Sequence, residues 1–198
     1  MHALIFVDLQ NDFLPGGPLA VPRGDEIIGF INTVQPRFDL VVATQDWHPP
    51  EHVSLISNHP ERAPFEGIEH RGKDQILWPD HCVQGSAGAS FASRLNIEPI
   101  RKVIQKGDNP QVDSYSGFYD NHHERATGLH DYLQQQAVDE VTVVGLATEV
   151  CVLFTVLDSL ELGYKTHLPK EGTRALNQQP GDDEKALQKM REAGAIVE

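Results

Sequence analysis

The feature that most constrains the fold is a repeated alternation of short apolar runs with amphipathic stretches. Runs rich in valine, isoleucine and leucine are typical of buried strands, and helical crossovers between them are typical of parallel sheets. The six runs that we predict to be strands are Ala3–Val7, Leu40–Ala43, Val103–Gln105, Val141–Val144, Lys165–Leu168 and Ala195–Val197. The pattern therefore predicts an α/β protein built on a mostly parallel sheet of about six strands.

Four stretches between these runs have helical periodicity, and their length suits crossovers. They are Glu26–Val34, Thr127–Gln136, Val150–Leu162 and Asp183–Glu192. The third has an apolar majority, so we expect it to pack deep against the sheet and to end at Gly163. A chain of 198 residues is long enough for one domain with its own core.

One link is much longer than the others. Between Pro49 and Asp80 the chain carries five prolines and little periodicity. Links of this length in a compact domain are usually functional or disordered. We expect residues 49–80 to wrap over a site and to be pinned there.

Composition excludes several classes of function. The chain has 16 basic and 29 acidic residues, a formal net charge of −13, which argues against a nucleic-acid or anionic-membrane partner. No apolar run approaches the ~20 residues that cross a bilayer, and the first residues lack the features of a signal peptide. Two cysteines do not make a disulfide scaffold. These observations predict a cytoplasmic protein.

Reactive side chains follow four of the predicted strands. Asp8 follows the first, Asp46 and His48 the second, Lys106 the third, and Cys151 the fourth after a short turn. Ligands of open parallel sheets bind outside the carboxyl ends of the strands. The position of these residues after their strands therefore predicts that an acid, an acid–imidazole pair, an ammonium and a thiol lie at the carboxyl edge of the sheet. The sequence contains no glycine-rich loop of the kind that binds dinucleotides or phosphates, so it does not predict a dinucleotide-binding or P-loop protein.

Cys151 has two interpretations. A lone cysteine at the start of an apolar helix is often a small buried core residue. At a helix N-terminus beside a lysine, it is instead a nucleophile whose thiol pKa is lowered. The two are about equal for the cysteine alone, and Asp8 and Lys106 at the same edge favour the nucleophile, because the three groups supply a base, a cation and a thiol.

A second group of residues has the spacing of a metal site. Asp46, His48 and His52 lie close in sequence, and His81 lies at the far end of the long link, which a shared metal would pin. Nitrogen and oxygen ligands of this kind suit zinc, iron or manganese. Cys82 is a fifth ligand or, as we prefer, a buried structural thiol. The other seven histidines are expected to be polar surface residues.

These residues, in this order, resemble the isochorismatase-like cysteine hydrolases, and among them the bacterial nicotinamidases. The resemblance runs nearly end to end. It rests on the segments VDLQNDF at 7–13, QDWHP at 45–49, WPDHCV at 78–83, KG at 106–107, VDSYS at 112–116, GLATEVCV at 145–152 and FTVLD at 154–158. It implies that residues 1–198 form one Rossmann-like three-layer α/β/α sandwich.

The resemblance also implies a reaction, the hydrolysis of nicotinamide to nicotinate and ammonia through a thioester, which serves NAD salvage. Pyrazinamide is expected as a further substrate. Asp8 would be the base, Cys151 the nucleophile and Lys106 the group that stabilises their charges. The backbone N–H groups of Ala147 and Cys151 would form the oxyanion hole, with a cis peptide between Leu146 and Ala147.

The same resemblance implies one divalent metal ion, zinc first with iron or manganese as alternatives. Its ligands would be Asp46, His48, His52 and His81. The aromatic residues that would line the substrate ring pocket are Phe13, Trp78 and Tyr115. The expected partner is the small-molecule substrate, without nucleic acid or membrane, and homo-oligomerisation is left open.

Three positions depart from the family pattern, and two other functions stay open. Glu149 and Val150 stand where the family often has aspartate and tyrosine, and Val53 follows His52 where glycine is commoner. One alternative function keeps the triad but acts on other aryl amides or N-carbamoyl amides. The other is a non-catalytic metal- or ligand-binding protein, which the presence of Asp8, Lys106 and Cys151 disfavours.

Overall fold

The computed structural model describes all 198 residues. Its strands are β1 His2–Val7, β2 Leu40–Asp46, β3 Gly67–His70, β4 Lys73–Ile76, β5 Ile100–Lys106, β6 Glu140–Leu146, β7 Lys165–Leu168, β8 Thr173–Arg174 and β9 Ile196–Val197. Its α-helices are α1 Ile27–Val34, α2 Leu129–Gln135, α3 Leu153–Glu161 and α4 Asp182–Glu192. All six predicted strands and all four predicted helices are present.

The main sheet has seven strands in the order β5-β2-β1-β6-β7-β9, with β8 pairing the end of β6. Every pair in it is parallel. This confirms the predicted α/β class and mostly parallel sheet. The seventh strand, β8, has only two residues and runs beside Gly145 and Leu146, so it carries no periodic signal.

Two apolar cores lie on opposite faces of the sheet, because side chains alternate along each strand. On β1, Ala3, Ile5 and Val7 point into the core beneath α2, α3 and α4. Leu4 and Phe6 point into the core beneath α1 and the segments that follow the strands. The arrangement is a three-layer α/β/α sandwich in one domain.

The long link differs from the expected irregular segment. It contains the hairpin β3–β4, whose turn residues Arg71 and Gly72 have φ values of 54° and 75°. Such positive values are what a tight two-residue hairpin turn requires. The hairpin was missed because its strands are mostly exposed and do not alternate polar with apolar residues.

Backbone hydrogen bonds close the ends of this link. The His48 N–H donates to the Cys82 carbonyl at 3.0 Å, and the His48 carbonyl accepts from the Gln84 N–H at 2.8 Å. Farther along, the Trp78 N–H donates to the Ser54 carbonyl at 2.7 Å. The link is therefore pinned by the backbone itself, which was not anticipated.

The longest α-helix has 11 residues. None of the helices combines the length and the apolar character that crossing a lipid bilayer requires.

Candidate active site

The carboxyl edge of the sheet brings Asp8, Lys106 and Cys151 into one buried cluster. The ammonium Nζ of Lys106 lies 2.9 Å from Asp8 Oδ2 and 3.5 Å from Cys151 Sγ. It also donates to the Ser114 carbonyl at 2.8 Å. All three side chains are almost completely shielded from solvent. The arrangement places a carboxylate, an ammonium and a thiol beside one another, as the sequence predicts.

Local backbone geometry aims Asp8 at this cluster. It follows β1 directly and has φ of 50°, a left-handed conformation that few residues other than glycine adopt. The Thr44 hydroxyl on β2 donates to Asp8 Oδ1 at 2.6 Å and holds the carboxylate in place. On the other side, Gly145 on β6 lies so close to Val7 that a β-carbon there would overlap the Val7 backbone. Glycine therefore allows β6 to approach the strand that carries Asp8.

Cys151 lies in a π-helical turn, Thr148–Val152, that leads into α3. Single π turns of this kind are frequent at functional sites. The expected cis peptide between Leu146 and Ala147 is present just before the turn. The carbonyl of Ala147 accepts from the N–H groups of Val150 and Val152, at 3.1 and 3.2 Å. Both predicted oxyanion residues, Ala147 and Cys151, line the same cleft.

The protonation of the cluster corrects one prediction. Burial raises the pKa of the Cys151 thiol well above its ordinary value, although Lys106 opposes the shift, whereas the sequence predicted a lowered pKa. Burial also raises the pKa of Asp8 to about 6. Burial lowers the pKa of Lys106, but the carboxylates of Asp46 and Asp8 raise it by more, so the pKa lies well above its usual range. The resting cysteine is therefore a thiol next to a carboxylate that is ionised at neutral pH.

A second buried cluster contains Asp46, His48 and His81. Their ligand atoms all lie within 4.8 Å of one another. His48 Nε2 is 3.6 Å and His81 Nε2 is 3.8 Å from Asp46 Oδ2. The Nδ1 atoms of the two rings face backbone carbonyls, of Gly107 at 2.9 Å and of Pro79 at 2.7 Å. An imidazole held in this way keeps its Nε2 lone pair free for a metal ion.

His52 is oriented differently. Its Nδ1 accepts from the Ser54 N–H at 3.2 Å and lies 2.8 Å from the Ser54 hydroxyl oxygen, so a neutral ring carries its proton on Nε2. Its ligand atom clusters with those of His48 and Asp113, within 4.8 Å, and not with the pair Asp46 and His81. The structure thus brings His52 beside the cluster, and adds Asp113, which the motifs did not single out as a site residue.

These residues fit a divalent metal ion. The Nε2 atoms of His48 and His52 are buried and have no hydrogen-bond partner. Buried polar atoms are rarely left without one. The Nε2 atoms of His48 and His81 and a carboxylate oxygen of Asp46 form a donor set that zinc, iron and manganese accept.

The charged and titratable groups of this cluster shift one another's pKa values. Burial would raise the pKa of Asp46, but Lys106 and His48 lower it far below its usual range. Burial would lower the pKa of His48, and Asp46 overcomes this and raises it to about 8. For His81, burial together with His48 lowers the pKa to about 4, which leaves a neutral ring. Cys82 is a buried core thiol, as preferred, and burial raises its pKa.

Both clusters reach the same cleft, which Asp46, His81 and Cys151 help to line. The three predicted aromatic residues line it, and the indole N–H of Trp78 donates to the Tyr115 hydroxyl at 3.2 Å. Its remaining walls, beyond the residues already placed, are largely aliphatic and include Leu19, Val21, Val150 and Leu176. Leu19, Val21 and Leu176 belong to no motif that could have marked them, whereas Val150 lies in the segment 145–152. The cleft suits a small, flat and largely apolar molecule.

Two of the three departures from the family pattern bear on this cleft. Val150 lines it directly. Glu149 accepts from the N–H groups of Leu176 and Asn177, at 3.2 and 2.6 Å, and so holds the segment that carries Leu176. The third, Val53, is buried and donates its N–H to the Pro110 carbonyl at 2.8 Å.

Comparison with known proteins agrees with these features. The model of the isochorismatase domain matches residues 2–198. A nicotinamidase of Escherichia coli is 47% identical over 200 residues, covering 99% of this chain and 93% of that protein. The structure of a nicotinamidase/pyrazinamidase of Acinetobacter baumannii superposes with a TM-score of 0.95 at 43% identity, covering 99% and 94% of the two chains. The structure of a Pyrococcus horikoshii pyrazinamidase in complex with zinc superposes with a TM-score of 0.80 at 36% identity, covering 100% of this chain and 98% of that chain.

Proposed function

The chain belongs to the isochorismatase family, and from that premise we propose that it hydrolyses nicotinamide to nicotinate and ammonia, using Cys151 as nucleophile and a divalent metal ion as cofactor. Pyrazinamide, which also carries its carboxamide on a nitrogen heterocycle, is proposed as a second substrate. The nicotinate formed would serve NAD salvage.

One observation carries this proposal. Lys106 Nζ contacts Asp8, Cys151 and Asp46 at once, so the base, the thiol and the metal cluster share one buried cation. A structural cysteine would need none of these neighbours, and a surface metal site would need no thiol. The convergence is what an amidase needs if it attacks a carbonyl carbon while it holds the ring.

In the first half of the reaction, Asp8 takes the proton of the Cys151 thiol and the thiolate attacks the amide carbonyl. Because the thiol pKa is raised and that of Asp8 is about 6, the transfer is uphill and is best coupled to the attack. Lys106 stabilises the charge that passes between the two groups. We assign the developing oxyanion to the backbone N–H groups of Ala147 and Cys151.

In the second half, the proton on Asp8 goes to the leaving amine, and ammonia departs as the thioester forms. Asp8 is then a carboxylate again and acts as base for the water that cleaves the thioester. The thioester breaks to give nicotinic acid, which loses its proton to solvent as nicotinate, and the proton that Asp8 took from water passes to the Cys151 thiolate. Each proton that Asp8 accepts is thus delivered within the same cycle.

Substrate selection is assigned to the cleft and the metal cluster. Phe13, Trp78 and Tyr115 line the cleft, and we assign them to the faces and edges of the substrate ring. Asp46, His48 and His81 are the proposed ligands of the ion, whereas the hydrogen bonds of His52 favour a role beside the ion as a donor. A divalent ion held by these residues would supply Lewis-acid chemistry at the end of the cleft where the substrate ring nitrogen would lie.

The experiment that tests this function compares kcat/KM for ammonia release by the purified protein from four amides. These are nicotinamide, pyrazinamide, benzamide and an N-carbamoyl amine. We expect nicotinamide and pyrazinamide to be hydrolysed and benzamide, which has the same shape without the ring nitrogen, to be a far poorer substrate.

Two results would contradict the proposal. Preference for the N-carbamoyl amine would favour the alternative amidase. Stoichiometric alkylation of Cys151 in a protein that turns over none of the four amides would favour the binding-protein alternative.

A further inference from the structure

Asp113 carries a buried carboxylate that lies outside the triad Asp8, Lys106 and Cys151 and outside the three proposed metal ligands. It is 3% exposed, and it makes no ion pair with a lysine, arginine or histidine. Its Oδ1 accepts from the Ser114 N–H at 2.7 Å, and its Oδ2 has only a long contact of 3.4 Å with the Gln75 amide. A buried carboxylate with so little compensation is costly unless a positive charge lies near it.

The space in front of Asp113 is shared with two histidines. Its carboxylate, His48 and His52 have ligand atoms that all lie within 4.8 Å of one another. The Nε2 atoms of both histidines are buried and have no hydrogen-bond partner. Neither imidazole donates to the carboxylate within hydrogen-bond distance. Three buried polar groups therefore lie close together without a hydrogen bond between any two of them.

Charge balance identifies what this space needs. Asp8, Asp46 and Asp113 carry three negative charges, and Lys106 is the one buried ammonium among them. Lys106 contacts Asp8 and Asp46 but not Asp113. With neutral histidines, as metal ligation requires, the four groups have a net charge of −2, which one divalent ion neutralises. Without Asp113, the same ion would leave an excess positive charge in a buried site.

We infer that Asp113 is the second acidic residue of the metal centre, opposite His52, and that it sets the affinity of the site for a divalent ion. The inference rests on the metal requirement of the proposed function. It also gives Asp113 a link to the catalytic cluster, because the next residue, Ser114, accepts from Lys106 Nζ through its carbonyl at 2.8 Å.

The test measures zinc affinity, not turnover. Asp113→Asn keeps the shape of the side chain and an acceptor for the Ser114 N–H but removes the charge. After metal removal, Zn²⁺ is titrated into the full-length protein against a chromophoric chelator. We expect the dissociation constant to rise about 10- to 100-fold, the range typical when a supporting group of a metal site is lost. Asp113→Ala provides a second measurement if the first variant folds poorly.

Asp120→Asn is the matched control. Asp120 is a buried carboxylate of the same segment, but it accepts from the N–H groups of His122 and Glu124 and lies outside both clusters. Its loss should leave zinc affinity unchanged.

Wild-type affinity in folded Asp113→Asn and Asp113→Ala would overturn the inference, as would an equal loss in Asp120→Asn. Because no substrate is present, the outcome is independent of whether nicotinamide is hydrolysed.

Discussion

Lys106 Nζ lies 2.5 Å from Asp46 Oδ1, and this hydrogen bond joins the two buried clusters of the site. The other oxygen of the same carboxylate faces His48 and His81. Asp46 therefore belongs to both clusters, as a proposed metal ligand through one oxygen and as a partner of the Lys106 ammonium through the other. A change in charge on the metal side is felt at Lys106, and through it at Asp8 and Cys151.

The pH dependence of the reaction should follow Asp8. This carboxylate must be ionised to act as base, and burial raises its pKa to about 6. We expect kcat/KM for nicotinamide to rise with pH, with a midpoint near pH 6, and to level off about one unit higher. A midpoint near pH 4, the range of an exposed aspartate, would contradict the assignment.

Thr44 offers a second test of this pH dependence. Its hydroxyl donates to Asp8 Oδ1 and so lowers the pKa of the carboxyl. Thr44→Val removes the donor with little change in shape, and the midpoint should move to higher pH. Thr142→Val, which removes a buried hydroxyl that contacts His2 on the same sheet, should leave the midpoint where it is.

Replacement of Cys151 by alanine should separate binding from chemistry. Cys151→Ala removes the nucleophile but none of the residues that contact the ring, so ammonia release should stop while calorimetry still detects nicotinamide binding. Cys82→Ala is the matched control, because Cys82 is the only other thiol and lies in the apolar core. It should retain turnover, and residual turnover in Cys151→Ala would refute the nucleophile.

The close approach of β1 and β6 should make Gly145 intolerant of any side chain. A β-carbon in Gly145→Ala would overlap the backbone of Val7, and φ is 129°. We expect a loss of ~3 kcal/mol or more in the free energy of unfolding, measured by urea denaturation. In Gly163→Ala, φ is 87° and the space is open, so the loss should be limited to backbone strain of ~1 kcal/mol. Similar losses in both variants would show that the contact with Val7 is unimportant.

Glu149 should affect binding more than chemistry. Glu149→Ala removes the acceptor that holds the backbone of Leu176 and Asn177 against the cleft. The loss of this anchoring should weaken substrate binding by about 1 kcal/mol. KM for nicotinamide should therefore rise about fivefold while kcat changes little. Glu171→Ala removes an exposed acid from the turn before β8 and should change neither constant. A fall in kcat without a rise in KM would place Glu149 in the chemical step instead.

Much of the fold was predictable because buried parallel strands have a strong local signal. β1, β2 and β6 are runs of buried β-branched and aliphatic residues, and the apolar stretch of α3 marks a helix against the sheet. The hairpin β3–β4 and the two-residue β8 were missed because long-range pairing, and not local composition, makes them strands.

The site was predictable where its residues follow strands or occur in motifs. Asp8, Lys106 and Cys151 converge because their strands are neighbours or lie close in the sheet. Asp113 lies in a segment without regular structure, and only the tertiary fold brings it to His48 and His52. The lowered pKa expected for Cys151 was wrong, because the helix end and Lys106 were weighed without the burial that opposes them.

The most direct test of the account is ammonia release from nicotinamide by the purified protein before chelation, after chelation, and after addition of Zn²⁺, Fe²⁺ or Mn²⁺. His48→Ala is measured in parallel, together with its metal content. We predict that turnover falls on chelation, returns with a divalent ion, and stays low in His48→Ala together with a lower metal content. Full turnover by the metal-free protein, or no turnover with any of these ions, would contradict the account.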